Sequence, residues 1–276
     1  VPGRDPQRRR PWWPWLLGAV LVALVLAVVR PWSDAAPAAD PTATATPPAP
    51  APTASVTPAP ATSPAAPPGA DAVFDATTLP RLLLTRGDVE SAVPAAEAGV
   101  TQGLAPGATP WGLPTGGTVD PPACTTAVTV VAGPPVAHDA LAWANEEVRV
   151  AQDVVLLPDP ATAREAFRTL VTTVDGCTSY TVRDAAGGAV RWVTQPAIEG
   201  QGLLPEIVQE VTVQGGDGEP RARYVGHTLV GNAIVTWTAT ALDPAAREQA
   251  SDVLGTTDEL SRMVEERALT AVRALA

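Results

Sequence analysis

Lysine is absent from the chain, and of its 276 residues only two are histidine, two cysteine and one methionine. Residues 71 to 276 hold 13 Arg against 26 Asp and Glu, a net charge of −13. Clustered positive charge able to displace counterions from nucleic acid is therefore missing, and so is an electrostatic clamp for anionic lipid. Acidity names no partner by itself, because net charge reports mainly on solubility. With His138 and His227 as the only histidines, no ligand spacing resembles a zinc site. Serines 91, 179, 251 and 261 are the only ones beyond residue 70, and none stands in a Gly-x-Ser-x-Gly turn. From Ser33 to Ala70 there is no aromatic residue, Val56 is the one aliphatic larger than alanine, and 11 residues are proline. Such a segment cannot bury enough surface to fold. Its proline density favours extended polyproline II, a tether reaching on the order of 100 Å at ~3.1 Å per residue.

One long apolar run is present. Residues Trp12 to Val29 carry no ionisable side chain and follow Arg4, Arg8, Arg9 and Arg10. At ~1.5 Å of rise per residue the run nearly spans a hydrocarbon core of ~30 Å. Trp12, Trp13 and Trp15 mark one interface and Trp32 the other, and the arginines hold their end in the cytoplasm. The expectation is a single-pass membrane anchor with the acidic body outside the cell. A signal peptide cleaved among the small residues from Ala35 to Ala39 is the alternative. Arg30 and the bulky Trp32 near that point speak against it, and with no cysteine after the run a lipid-modified N-terminus is excluded. With 11 residues before the run, the expectation is also a chain with no kinase of its own. The weight of Ala, Val, Pro, Thr and Arg is the bias of a GC-rich genome and fits an actinobacterium.

Cys124 and Cys177 lie in the compartment where disulfides persist and read as one bridge, with a metal pair or a catalytic thiol as alternatives. Phe74 to Val89 reads as an extended lead-in and a short apolar segment ending at Gly87-Asp88. Residues 95 to 122, rich in Gly and Pro, read as a long surface loop pinned by Trp111. The pattern then sharpens. Glu147 to Leu157 is a strand, stopped by Pro158-Asp159-Pro160. Asp159 suits a helix N-cap and Pro160 the first helical position. Ala163, Ala166, Phe167, Leu170, Val171 and Val174 fall on one face of the helix that Gly176 ends.

Tyr180 to Val182 and Ala189 to Thr194 flank Gly187-Gly188 as a hairpin, and Glu206 to Gln214 is a further strand. The clearest hairpin joins Arg221–Val230 to Ala233–Ala241 through Gly231-Asn232, a two-residue turn needing a positive backbone angle at its first position. That length pairs Val230 with Ala233, Thr228 with Val235, Gly226 with Trp237 and Tyr224 with Ala239. Ala233, Val235, Trp237 and Ala239 then form one buried face, with room over Gly226 for the Trp237 indole. Thr256 and Glu259 match a capping box for a last helix that carries Leu260, Val264, Ala268 and Ala271 on one stripe.

The order of these pieces resembles the PknH-like extracellular sensor domain of actinobacteria, found on membrane-anchored Ser/Thr kinases and on kinase-free envelope proteins. The matching stretches are LPRLLLTRGDV at 79 to 89, Cys124 in PPAC, the strand-helix-Cys unit from Val148 to Cys177, and VGNAIVTW at 230 to 237. The resemblance implies an α+β fold with a central antiparallel sheet and a cleft for an unknown ligand. The kinase-linked member carries a second disulfide, which two cysteines cannot form. In segments, the expectation is a basic tail (1–11), a transmembrane helix (12–32), a disordered Pro-rich linker (33–70), and one α+β domain (71–276) of antiparallel sheet, two main helices and one disulfide.

No cofactor, metal ligand or catalytic residue is assigned. The acids Glu146, Glu147, Asp153, Glu199, Glu206 and Glu210 would have to face one cleft for glycan hydrolysis, and nothing in the sequence sets their separation. For a ligand site the candidates are Trp143, Arg191, Trp192, Arg223 and His227, because aromatic rings stack on ligands and guanidinium groups fork to anions. His227 is expected on the sheet, opposite to Trp237 and towards Thr236, in a structural or solvent-facing role. The function expected is a non-catalytic sensor or ligand-binding domain of the envelope, taking a small ligand or an envelope protein. An envelope interaction protein and a wall glycan hydrolase are the alternatives.

Overall fold

The computed structural model describes residues 66–216, 218–244 and 249–275. The basic tail, the anchor 12–32 and the linker up to residue 65 lie outside the described residues. Among those described, no helix is long and apolar enough to cross a membrane. In chain order the elements are α1 (Arg86–Ala92), β1 (Thr101–Leu104), β2 (Thr118–Asp120), α2 (Thr125–Thr129), β3 (Ala137–Ala144), β4 (Val148–Leu156), α3 (Pro160–Gly176), β5 (Ser179–Arg183), β6 (Ala189–Thr194), β7 (Ile198–Glu199), β8 (Glu206–Gly215), β9 (Arg221–Val230), β10 (Ala233–Ala241), α4 (Ala250–Leu254) and α5 (Thr257–Arg273).

One antiparallel sheet runs in the order β1-β3-β4-β10-β9-β8-β6-β5-β2, with β7 beside β8. Its centre follows the expected register: Val230 faces Ala233, Gly226 faces Trp237 and Tyr224 faces Ala239. Gly231 takes φ 55°, which the two-residue turn requires at its first position. Asn232 does more than turn the chain. Its side chain accepts from the Phe74 amide (2.7 Å) and donates to the Phe74 and Leu157 carbonyls (3.0 and 2.9 Å), pinning the start of the domain to the hairpin tip.

One sheet face carries Val150, Val154, Val208, Val235, Trp237 and Ala239. They pack against Leu82, Leu84, Val89 and Val93 from the N-terminal segment and Leu260, Met263, Val264 and Ala268 from α5. The Thr256–Glu259 capping box starts α5 as its sequence pattern requires. On the other face Val155, Ile207, Leu229 and Ile234 meet Ala163, Phe167, Leu170 and Val174 of α3. Asp159 caps that helix through the Thr162 amide (2.8 Å), and Pro160 is its first residue. β10 is thus covered along its whole length on the face of Trp237 and by α3 at Ile234 on the other.

In the stretch from Phe74 to Val89, the short apolar segment expected to end at Gly87-Asp88 is instead a 3-10 turn leading into a helix. Leu79–Leu82 is a 3-10 turn, and Gly87 and Asp88 lie in the first turn of α1 rather than at the end of a segment. The reason is a reciprocal cap: the Thr85 hydroxyl accepts from the Asp88 amide and the Asp88 carboxylate from the Thr85 amide (2.7 Å). Asp88 also pairs with Arg267 of α5, which ties the two helices together. The three leucines pack under the sheet because Gln152, fully buried on β4, accepts from the Leu84 amide (2.7 Å) and donates to the Leu82 carbonyl (3.1 Å).

Candidate functional site

Strands β1 and β2 stand at opposite ends of the strand order although only residues 105 to 117 separate them. The chain therefore crosses the sheet between them, and it does so over the face that α3 leaves partly open. The long loop expected to be pinned by Trp111 is pinned there, and it forms a strap across the sheet. Its Gly107 amide donates to Asp139 on β3 (2.6 Å), and the Trp111 indole donates to the Thr129 carbonyl at the end of α2 (2.9 Å). The disulfide Cys124–Cys177, with Cα atoms 5.7 Å apart, fixes the start of α2 to the end of α3.

Under this roof lies a cavity of about 480 Å³. Its floor is the row of alternate residues that share one face: Thr236 and Thr238 of β10, Arg223, Val225 and His227 of β9, Gln209 and Val211 of β8, Asp153 and Val155 of β4, and Trp192 of β6. Residues 109 to 114 of the strap, 127 to 129 of α2 and Val130 just after it close it above. Along β10 the sequence explains where the helix stops. Ile234 sits under α3, and the next residues on that face, Thr236, Thr238 and Thr240, replace aliphatic groups with hydroxyls where no apolar helix covers them.

Three of the five candidate ligand residues come together here. The Tyr180 and Trp192 rings stack with centroids 5.6 Å apart, and the Arg223 guanidinium lies 4.6 Å from the Trp192 ring centroid. Arg223 Nε donates to Thr240 Oγ1 (2.8 Å). His227 Nδ1 lies 2.8 Å from Thr236 Oγ1, on the side opposite to Trp237; it is buried, not solvent-facing. The other two lie elsewhere. Trp143 is on β3 against the main core, its indole donating to the Leu84 carbonyl (3.1 Å), and Arg191 is exposed on the far face of β6. Alternation decides both, since Arg191 neighbours Trp192 and must point the opposite way. His138 and Asp153 also line the cavity, with Nε2 and Oδ1 3.4 Å apart; the sequence pattern marks β4 as a strand but not β3, whose pairing brings the two side chains together.

The acids do not converge. Asp153 lines the cavity, whereas Glu206 lies beneath the sheet, where its Oε1 accepts from Trp237 Nε1 and Thr228 Oγ1 (both 3.0 Å). Among the described residues no group of three His, Cys, Asp or Glu side chains is arranged to hold a metal ion.

Burial sets the protonation of the site. It draws the Arg223 guanidinium down to about 10, with the Tyr180 hydroxyl opposing and Arg149 adding, so the group stays charged at neutral pH. It pushes the Tyr180 hydroxyl up and holds the His227 imidazole down at about 4.

The sequence profile of the PknH-like extracellular domain matches residues 74–259. The chain belongs to that family. The extracellular domain of PknH from Mycobacterium tuberculosis has the same fold: at 20% identity the alignment covers 73% of this chain and 98% of that one, with a TM-score of 0.55. An uncharacterised Mycobacterium smegmatis protein aligns at 18% identity over 69% of this chain and 97% of its own, with a TM-score of 0.36. A search of curated proteins finds no match. The described body is thus an extracytoplasmic PknH-like domain, α+β, with a large antiparallel sheet, two principal helices and one disulfide.

Two buried groups of this PknH-like domain titrate in opposite senses. His227 is depressed from 6.5 to about 4, so the unfolded chain binds the extra proton and His227 destabilises the fold as pH falls through that window. For the whole shift this is on the order of 3 kcal/mol. Glu206 is raised by burial, against hydrogen bonds from Trp237, Thr228 and Ser261 and with the Glu265 charge adding. The folded state therefore keeps its proton, and the stability it contributes below the ordinary carboxyl value is lost as pH rises through the raised one. Urea midpoints from pH 4 to 7 should show His227→Gln flattening the rise of stability with pH and Glu206→Gln steepening it. Parallel curves for both variants would contradict this assignment.

Proposed function

We propose that the protein is a single-pass, membrane-anchored sensor of the cell envelope, in which residues 12–32 span the membrane, residues 33–70 form a Pro-rich tether and the PknH-like domain binds a small ligand outside the cell without catalysis of its own. The observation that supports the ligand role is the roofed cavity of about 480 Å³, within the size range of small-molecule sites. Its walls suit that role: mostly apolar side chains from Trp111, Leu113, Val128, Val155 and Val225, with a few polar groups from Asp153, Gln209, Arg223 and Thr236. Trp192 adds a buried indole N–H with no hydrogen-bond partner among the described residues. A strap joined to α2 by the Trp111 bond offers a natural way to report occupancy, because a ligand under the roof touches both.

A thermal-shift titration of the full chain against fractionated envelope extract tests this reading. A ligand at 100 times its Kd stabilises by about 2.7 kcal/mol, or roughly 5 to 10 °C for a domain of this size. Filling the cavity from α2 with Val128→Trp should abolish the shift. If no small-molecule fraction shifts the melting temperature, or the filled variant shifts equally, the cavity is not the binding site.

A further inference from the structure

Three arginines stand together on the open face of the sheet. Arg223 faces Thr240, and Thr240 in turn faces Arg149, so the two arginines sit at one level on β9 and β4 with β10 between them. Strand spacing places their Cα atoms about 10 Å apart, and Arg221 lies about 7 Å along β9 from Arg223 on the same face. All three line a second cleft of about 540 Å³ with Val190, Val213, Thr238, Thr240, Leu242 and one carboxylate, Glu219. Among the described residues none of the three forms an ion pair, although the body carries a net charge of −13. In so acidic a domain, arginines gathered on β4 and β9 that make no ion pair among the described residues are an arrangement that a bound anion completes.

This basic cleft is not separate from the roofed cavity. Arg223 and Thr238 line both, so the open face is one trough whose strapped half is apolar and aromatic and whose other half is basic. We infer that the trough binds an anionic amphiphile, its phosphate or carboxylate on Arg149, Arg221 and Arg223 and its apolar body beneath the strap against Trp192, Val211 and Val225. This inference rests on the ligand-site reading above and specifies the ligand's chemical class. Trp192 is the junction: its ring stacks with Tyr180 on one side and carries Arg223 on the other, an apolar surface ending in a fixed cation. Neither a simple anion nor a purely apolar molecule uses both halves.

The full chain in phosphatidylcholine nanodiscs, dialysed against decyl phosphate, decanol, inorganic phosphate and decyltrimethylammonium with empty discs subtracted, decides the matter. Decyl phosphate should bind saturably, one per chain, and at least tenfold more tightly than each of the other three. Arg149→Gln/Arg221→Gln, at two exposed positions that leave the core untouched, should reduce its affinity to that of decanol, and Arg223→Gln should do the same. Equal binding of decanol or of the cationic probe would overturn the inference, as would variants that bind like the unaltered chain. Absence of decyl phosphate binding alongside a retained extract-induced thermal shift would sink the amphiphile and leave the ligand site standing. Absence of both would remove both.

Discussion

Gly226→Val should cost on the order of 4 kcal/mol and lower the melting temperature by roughly 10 °C or more, if the protein folds at all. A Cβ at this position would overlap Cε2, Nε1 and Cζ2 of Trp237, which lies flat across β9 from β10. The indole has nowhere to go. It is fully buried, enclosed by the core under α5, and its N–H is the donor to Glu206. Displacing it adds the loss of that bond to the overlap, leaving a buried carboxyl short of a partner. Valine's strand preference, worth at most about 1 kcal/mol, does not offset this. A double-mutant cycle with Trp237→Leu should show strong coupling, the smaller side chain recovering part of the loss. An unchanged melting temperature for Gly226→Val would refute the packing at the centre of the sheet.

Removing the disulfide, as Cys124→Ser/Cys177→Ser, should cost roughly 4 kcal/mol in the chain-entropy model for cysteines 53 positions apart. The consequence for the site is more specific than that figure. The bridge joins α2 to α3, and α2 supplies Ala127, Val128 and Thr129 to the cavity roof as well as the carbonyl that holds Trp111. Hydrogen exchange should therefore quicken first in residues 105 to 130, while amides of β9 and β10 keep their protection. Urea midpoints that agree for oxidised and reduced protein, or uniform exchange throughout the domain, would argue against a bridge that serves the roof.

Much of the scaffold was legible residue by residue. Asp159 followed by Pro160 marks a helix start because a cap and a missing N–H each act within one turn. Gly231-Asn232 sets the hairpin register because a two-residue turn leaves no freedom in pairing. Thr256 and Glu259 act over three residues. The capping box at Thr85 and Asp88 is equally local, but its returning carboxylate is Asp where the usual pattern has Glu, and the apolar run before it reads as a segment ending at Gly87-Asp88.

The site was only half legible, for a geometric reason. Alternation along β9 places Arg223 and His227 on one face, and Trp192 on β6 reaches the same face only because β8 lies between the two strands. The same alternation turns Arg191 away, and the register of β3 on β4 sets Trp143 opposite Val150 on the face of the main core. Arg149 was never a candidate, because its nearness to Arg223 depends on β10 inserting between β4 and β9. Local chemistry thus determined β4, β5, β6, β8, β9 and β10, the caps of α3 and α5 and the hairpin register from the sequence alone, and it favoured one cysteine bridge over a metal pair or a catalytic thiol. Strand order brought distant segments together, and so the tertiary structure alone decided that β1 and β2 would stand at opposite edges. The thirteen residues between them, 105 to 117, were thereby drawn across the open face and made into the roof of a cavity.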